Sequence, residues 1–112
     1  MAYDTALEQR IDAVIADWPL DVPKKKMFGG VGYFLNGNMA FGIKGDELIV
    51  KATEEQGDKL LKETGMRYFT MGARTAMKNW YLAGDEALLE GNFERLLGIS
   101  RDFTLTLAPK HK

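Results

Sequence analysis

Basic side chains set among aromatic rings are the residues of this chain best suited to a chemical task. Lys24, Lys25 and Lys26 lead into Phe28 and Tyr33, while Arg67, Arg74 and Lys78 lie beside Phe69 and Trp80. Cations interleaved with rings can hold a polyanion, its phosphates by charge and its bases by stacking. Against this stands a net charge of -1, which argues against strong non-specific attraction to nucleic acid or to anionic membranes. Direct nucleic-acid binding is therefore not the leading expectation. A protein contact uses the same residue types, and its candidate residues are Lys24, Lys25, Lys26, Tyr33, Arg74 and Lys78.

Catalytic chemistry finds few residues to work with. Cysteine is absent, which excludes disulfides, thiolate metal sites and cysteine nucleophiles. The single histidine, His111, is the penultimate residue, and the single serine, Ser100, has no histidine near it in sequence. A zinc site of the usual nitrogen and sulfur kind cannot be assembled from this set. Adjacent carboxylates at Asp46-Glu47 and Glu54-Glu55 suit a turn and a helix start, where they serve as solvated charges or caps. The glycines of Phe28-Gly29-Gly30-Val31-Gly32 are not followed by Gly-Lys-Ser/Thr and run into a strand, so they do not form a phosphate loop. The expectation is a non-enzyme with no cofactor and no metal.

The elements that must position these residues follow from periodicity. Leu7, Ile11, Val14, Ile15 and Trp18 form one stripe of helical period. Asp4 or Thr5 can cap that helix, with Thr5 and Glu8 as a capping box, and Pro19 and Pro23 bracket its end. Asn36-Gly37 marks a two-residue hairpin turn that needs positive φ at both central positions. It pairs Leu35 with Asn38, Phe34 with Met39 and Gly32 with Phe41. Gly45-Asp46 marks the next turn and pairs Lys44 with Glu47, Ile43 with Leu48 and Phe41 with Val50. These registers place Phe34, Met39, Phe41, Ile43, Leu48 and Val50 on one face, expected to pack on the first helix. The reverse face then carries Val31, Tyr33, Leu35, Ala40, Gly42 and Ile49, with Lys44, Glu47 and Lys51 toward one end. A partly apolar reverse face needs a cover. The two-layer rule favours a later helix or strand of the same chain, with a homodimer or partner surface as the alternative.

Thr53 can cap a second helix running to about Glu63, with Gly65 at its C′ position. Two strands follow, Met66 to Thr70 and Ala76 to Leu82, joined by a loop over 71–75. A helical turn around Glu86 to Glu90 leads into a last helix from about Asn92 to Ala108, whose end Thr104 and Thr106 weaken. The fold class is therefore α+β: two layers, an antiparallel sheet of about five strands, and N-terminal, middle and C-terminal helices in the order α-β-β-β-α-β-β-α. A length of 112 residues suits one domain, 1–112, with 109–112 as a frayed tail. No N-terminal run has the order of a signal peptide, and no apolar stretch reaches the ~20 residues that span a bilayer, so a cytoplasmic protein with no membrane partner is expected. Charge sorts by element: residues 22–52 carry +3 and residues 66–84 carry +3, leaving -7 for the rest. The strands are basic and the helices acidic.

The string Lys25-Lys26-Met27-Phe28-Gly29-Gly30-Val31-Gly32-Tyr33-Phe34-Leu35-Asn36-Gly37-Asn38-Met39-Ala40 resembles the signature of the TfoX/Sxy N-terminal domain family. Met1-Ala2-Tyr3-Asp4, Arg74-Thr75-Ala76-Met77-Lys78-Asn79-Trp80 and the helical end also fall where such domains have similar segments. The family more often shows a Gly-Arg-Pro-Met-Lys-Gly-Trp-like string at the second of these, and Thr75, Ala76 and Asn79 depart from it. The resemblance implies a two-layer α+β fold with an antiparallel sheet. Longer members are regulators of bacterial competence genes, thought to act with the cyclic-AMP receptor protein. They carry a second, helical domain absent from these 112 residues, so a competence role does not transfer with the resemblance. The family supplies no established catalytic residues. The expected function is a non-enzymatic protein-interaction module in transcriptional regulation, with a protein partner and a homodimer through the reverse sheet face as its contacts. A basic sheet that holds a small anionic ligand or single-stranded nucleic acid is the alternative.

Overall fold

The computed structural model describes residues 3–27, 30–71, 75–89 and 91–109. The elements run α1 (Thr5–Ile15), β1 (Lys24–Met27), β2 (Gly30–Leu35), β3 (Asn38–Lys44), β4 (Glu47–Lys51), α2 (Glu54–Leu60), β5 (Met66–Met71), β6 (Thr75–Ala83), a 3-10 turn (Asp85–Ala87) and α3 (Asn92–Leu105). All strands join one antiparallel sheet in the order β1-β2-β3-β4-β6-β5. The sixth strand, beyond the five expected, is β1. Its lysines are poor strand formers, and it pairs along one side only.

The helix starts follow the caps in the sequence. Asp4 accepts from the Ala6 and Leu7 amides and opens α1, so the acid caps rather than Thr5. Thr53 and Gln56 form a reciprocal capping box at α2. Helix ends come earlier than the apolar stripes suggest. The chain leaves α1 at Ile15, and Trp18 beyond it meets the Phe41 ring edge-on at 5.9 Å. α2 stops at Leu60, and α3 at Leu105, within its threonine-weakened last turns.

Both hairpin turns form, with φ of 52° at Asn36, 83° at Gly37 and 62° at Gly45. Between β3 and β4 the register is the expected one, Phe41 opposite Val50 and Lys44 opposite Glu47. Between β2 and β3 it slips. Phe34 still faces Met39, but the next pair is Tyr33 with Phe41, not Gly32 with Phe41. Ala40 is the extra residue of this β-bulge, and it reverses which side chains of β2 face the helices.

The core face is thus Val31, Tyr33 and Leu35 of β2 with Phe41, Ile43, Leu48 and Val50 of the next two strands, all in one buried cluster. Phe34 and Met39 turn to the reverse face, contrary to the sequence-based expectation. All three helices lie on the core side. α1 reaches Tyr33 and Phe41, α3 crosses β3 and β4, and Gly57 of α2 abuts the Tyr81 hydroxyl so closely that a Cβ there would lie 1.8 Å from it. α1 and α3 are tied through Arg10, whose guanidinium lies 4.2 Å over the Phe93 ring. The cover expected for the reverse face is absent among the described residues.

Candidate interaction surface

The lysine triplet does not act as a unit, because strand alternation divides it. Lys24 pairs with Tyr33 and Lys26 with Val31, both on the helix side, whereas Lys25 pairs with Gly32 on the reverse side. Lys24 is committed to α1. Its Nζ lies 2.9 Å from Glu8 Oε2 and 2.9 Å from Asp12 Oδ2, and its pKa is raised, first by the Glu8 hydrogen bond and then by that of Asp12. Asp12 Oδ1 accepts the Tyr33 hydroxyl at 2.9 Å, and the Tyr3 hydroxyl donates to Glu8 Oε1. Glu8 and Asp12 stand one helical turn apart on the flank of the Leu7–Ile11 stripe. That spacing was the available sequence signal for a clasp between α1 and the sheet edge.

Tyr33 is fully buried and stacks on Phe41 at 5.3 Å, so it belongs to the core and not to an exposed face. Its pKa is raised, chiefly by burial and next by the hydrogen bond to Asp12. Lys25 and Lys26 remain exposed. Arg74 lies outside the described residues, as does the side chain of Lys78.

Sequence reasoning missed what the reverse face assembles. One row of paired residues crosses all six strands: Lys25, Gly32, Gly42, Ile49, Leu82 and Arg67. At ~4.8 Å per strand the row is about 24 Å long. Basic residues stand at both ends, and Met39 and Phe34 pack over the buried glycine pair between them. A Cβ on Gly42 would lie 2.5 Å from the Val31 carbonyl oxygen, and one on Gly32 would press on Met39 and Phe34. A second row runs beside it: Phe34 opposite Met39, then Lys51 opposite Trp80, then Phe69. All three aromatic rings of this row are half-buried.

Cations sit against two of those rings. Lys51 Nζ lies 4.9 Å from the Trp80 centroid and donates to the Met39 carbonyl. Lys44 Nζ lies 5.1 Å from the Phe69 centroid. β3 and β5 are separated by two strands, so this last contact reaches across the face over Ile49 and Leu82. It explains why those two residues are buried yet outside the core cluster. The Arg67 guanidinium forks onto Glu47, the only acid in the strand segments, against seven Lys and Arg residues there.

A family model described as the TfoX N-terminal domain matches residues 16–93, from the end of α1 to the start of α3. The chain belongs to this family. The match spans the whole sheet and the α2 helix, so both rows of the reverse face lie inside the TfoX N-terminal domain. No curated protein and no solved structure matches the chain. Elsewhere on the chain, largely outside the matched residues, a groove of about 290 Å³ lies between α1 and α3, lined by Arg10, Ala13, Val14, Gly91, Phe93 and Glu94. Arg10 there is already held by the Leu88 carbonyl at 2.6 Å. Among the described residues no cluster of His, Asp or Glu is arranged to hold a metal ion, and no helix is long and apolar enough to cross a membrane.

Proposed function

We propose that this TfoX N-terminal domain is a non-enzymatic interaction module that acts in transcriptional regulation by contacting a protein partner along β1. The observation that carries the reading is the open edge of that strand. The Phe34 amide donates to the Pro23 carbonyl at 2.9 Å, which fixes the hydrogen-bonding phase of the β1–β2 pair. By alternation Lys25 bonds inward to Gly32, while Lys24 and Lys26 turn their main-chain amide and carbonyl groups away from β2. A partner segment in extended conformation can add there as a further strand, and acidic side chains on it would meet Lys25 and Lys26. Basic groups on the reverse face disfavour a two-fold pairing of two such faces, so the homodimer is not part of this reading.

Complementation tests it. Deleting the gene should change transcript levels at a defined set of promoters, and the wild-type chain should restore them. The Lys25→Glu, Lys26→Glu double variant should fold, by circular dichroism, and fail to restore them. An unchanged transcript profile on deletion overturns the regulatory reading, and full rescue by the double variant removes the contact from β1.

A further inference from the structure

We propose that the reverse face of the sheet is a platform for single-stranded nucleic acid, which lies across the strands. The two rows supply its two requirements separately. Phe34, Trp80 and Phe69 place half-buried rings across the sheet, those of Trp80 and Phe69 each with a lysine ammonium against one side. Lys25 and Lys44 are exposed to meet phosphates. Met39 and Phe34 fill the space above the buried Gly32–Gly42 pair, so a base would meet the rings and the thioether rather than the backbone of the sheet. A row about 24 Å long accommodates about four nucleotides, the low end of known single-strand site sizes.

Composition averages this arrangement away. The net charge of -1 sums a sheet rich in Lys and Arg with acidic residues outside it, in α1, α2 and the connecting segments. The bulge at Ala40 also hides it, since only the slipped register brings Phe34 out beside Met39.

A nucleic-acid strand fits this face better than an extended protein segment does. The strands beneath it have their main-chain groups paired within the sheet, so a peptide laid across them would leave its own amides and carbonyls without partners. A nucleic-acid strand presents charge outward and flat apolar bases inward, and it needs no ladder. The proposal shares Lys25 with the β1 edge contact, whereas Lys26, on the helix side, belongs to the edge contact and Phe34 to this face.

The test is fluorescence anisotropy of the whole chain with fluorescein-labelled oligo-dT and oligo-U of about twelve nucleotides, at about 50 mM and about 300 mM salt. Binding is expected at low salt and should weaken several-fold at the higher salt. Phe34→Ala and Lys25→Glu should each weaken it about five-fold or more. Lys59→Glu, the same charge change on exposed α2 across the molecule, should have little effect. Thermal melts check each variant's fold, and should Phe34→Ala not fold, the comparison of Lys25→Glu with Lys59→Glu decides. No binding at low salt overturns the proposal. So does an equal loss in Lys25→Glu and Lys59→Glu, which would mean diffuse attraction. Binding of labelled polyglutamate in place of the oligonucleotides, lost in the same variants, assigns the face to a protein partner and overturns it as well.

Discussion

The Tyr33 hydroxyl belongs to a fully buried residue and donates to one carboxylate partner, Asp12. Burial, then that hydrogen bond, raises its pKa above the ordinary value near 10. Below pH ~10 both the folded and the unfolded chain keep the proton, and the full stability is present. At higher pH the unfolded chain releases it while the folded chain does not, so stability falls as the pH rises toward the folded value. Tyr33→Phe should cost about 1.5–3 kcal/mol near neutral pH, the range for a hydrogen bond to a charged group. It should also make the alkaline loss shallower. Urea unfolding at pH 7 and near pH 11 checks both, and an alkaline slope identical to wild type would contradict the assignment.

Among the elements, β6 carries the least regular feature. Tyr68 faces Tyr81 but Thr70 faces Ala76, so β5 advances two residues while β6 advances five. Asn79 takes up the excess with φ of 72°, donates its side-chain amide to the Ala52 carbonyl at 2.9 Å and accepts the Ala52 amide at its own carbonyl. A β-branched residue there meets the left-handed penalty and loses the side-chain bond, so Asn79→Val should cost about 2–3 kcal/mol. Asn79→Gly keeps the backbone free and should cost about 1 kcal/mol. Denaturant midpoints separate the two, and equal losses would show that φ is not what Asn79 supplies. The tight turns were legible in the sequence because Asn36-Gly37 and Gly45 are chosen by backbone conformation, and so were the caps at Asp4 and Thr53. The faces of β2 were not legible. Val31, Tyr33 and Leu35 alternate with Gly32 and Phe34, so either parity presents plausible core residues, and no residue type marks a bulge at Ala40. Ser100 was weighed only as a nucleophile, yet its hydroxyl accepts the Lys51 amide at 2.9 Å and ties α3 to the end of β4.

At the scale of the whole molecule, charge is separated into a basic sheet and acidic segments outside it. Among the described residues, the groups whose pKa the fold raises are Tyr3, Lys24, Tyr33, Arg67 and Tyr81, which titrate at pH ~10 or above. The one histidine is His111, near the chain end. Thermal melts between pH 6 and 8.5 should therefore nearly superimpose, and a change in Tm beyond about 5 °C would reveal a coupled group in that range. The candidate surface, by contrast, was half legible. Its cations and rings were visible as types, but their assembly into two rows depends on strand order β4-β6-β5, a pairing between distant segments that local pattern does not encode.

The short strand β1 has one further consequence, for solubility. A bare sheet edge is a template on which identical chains can stack without limit. Four residues of edge, three of them exposed lysines, make that stacking self-repelling. The residues that would welcome an acidic partner are therefore the same ones that keep copies of this chain from polymerising. A variant freed of Lys25 and Lys26 would lose its resistance to fibrous aggregation together with the proposed contact.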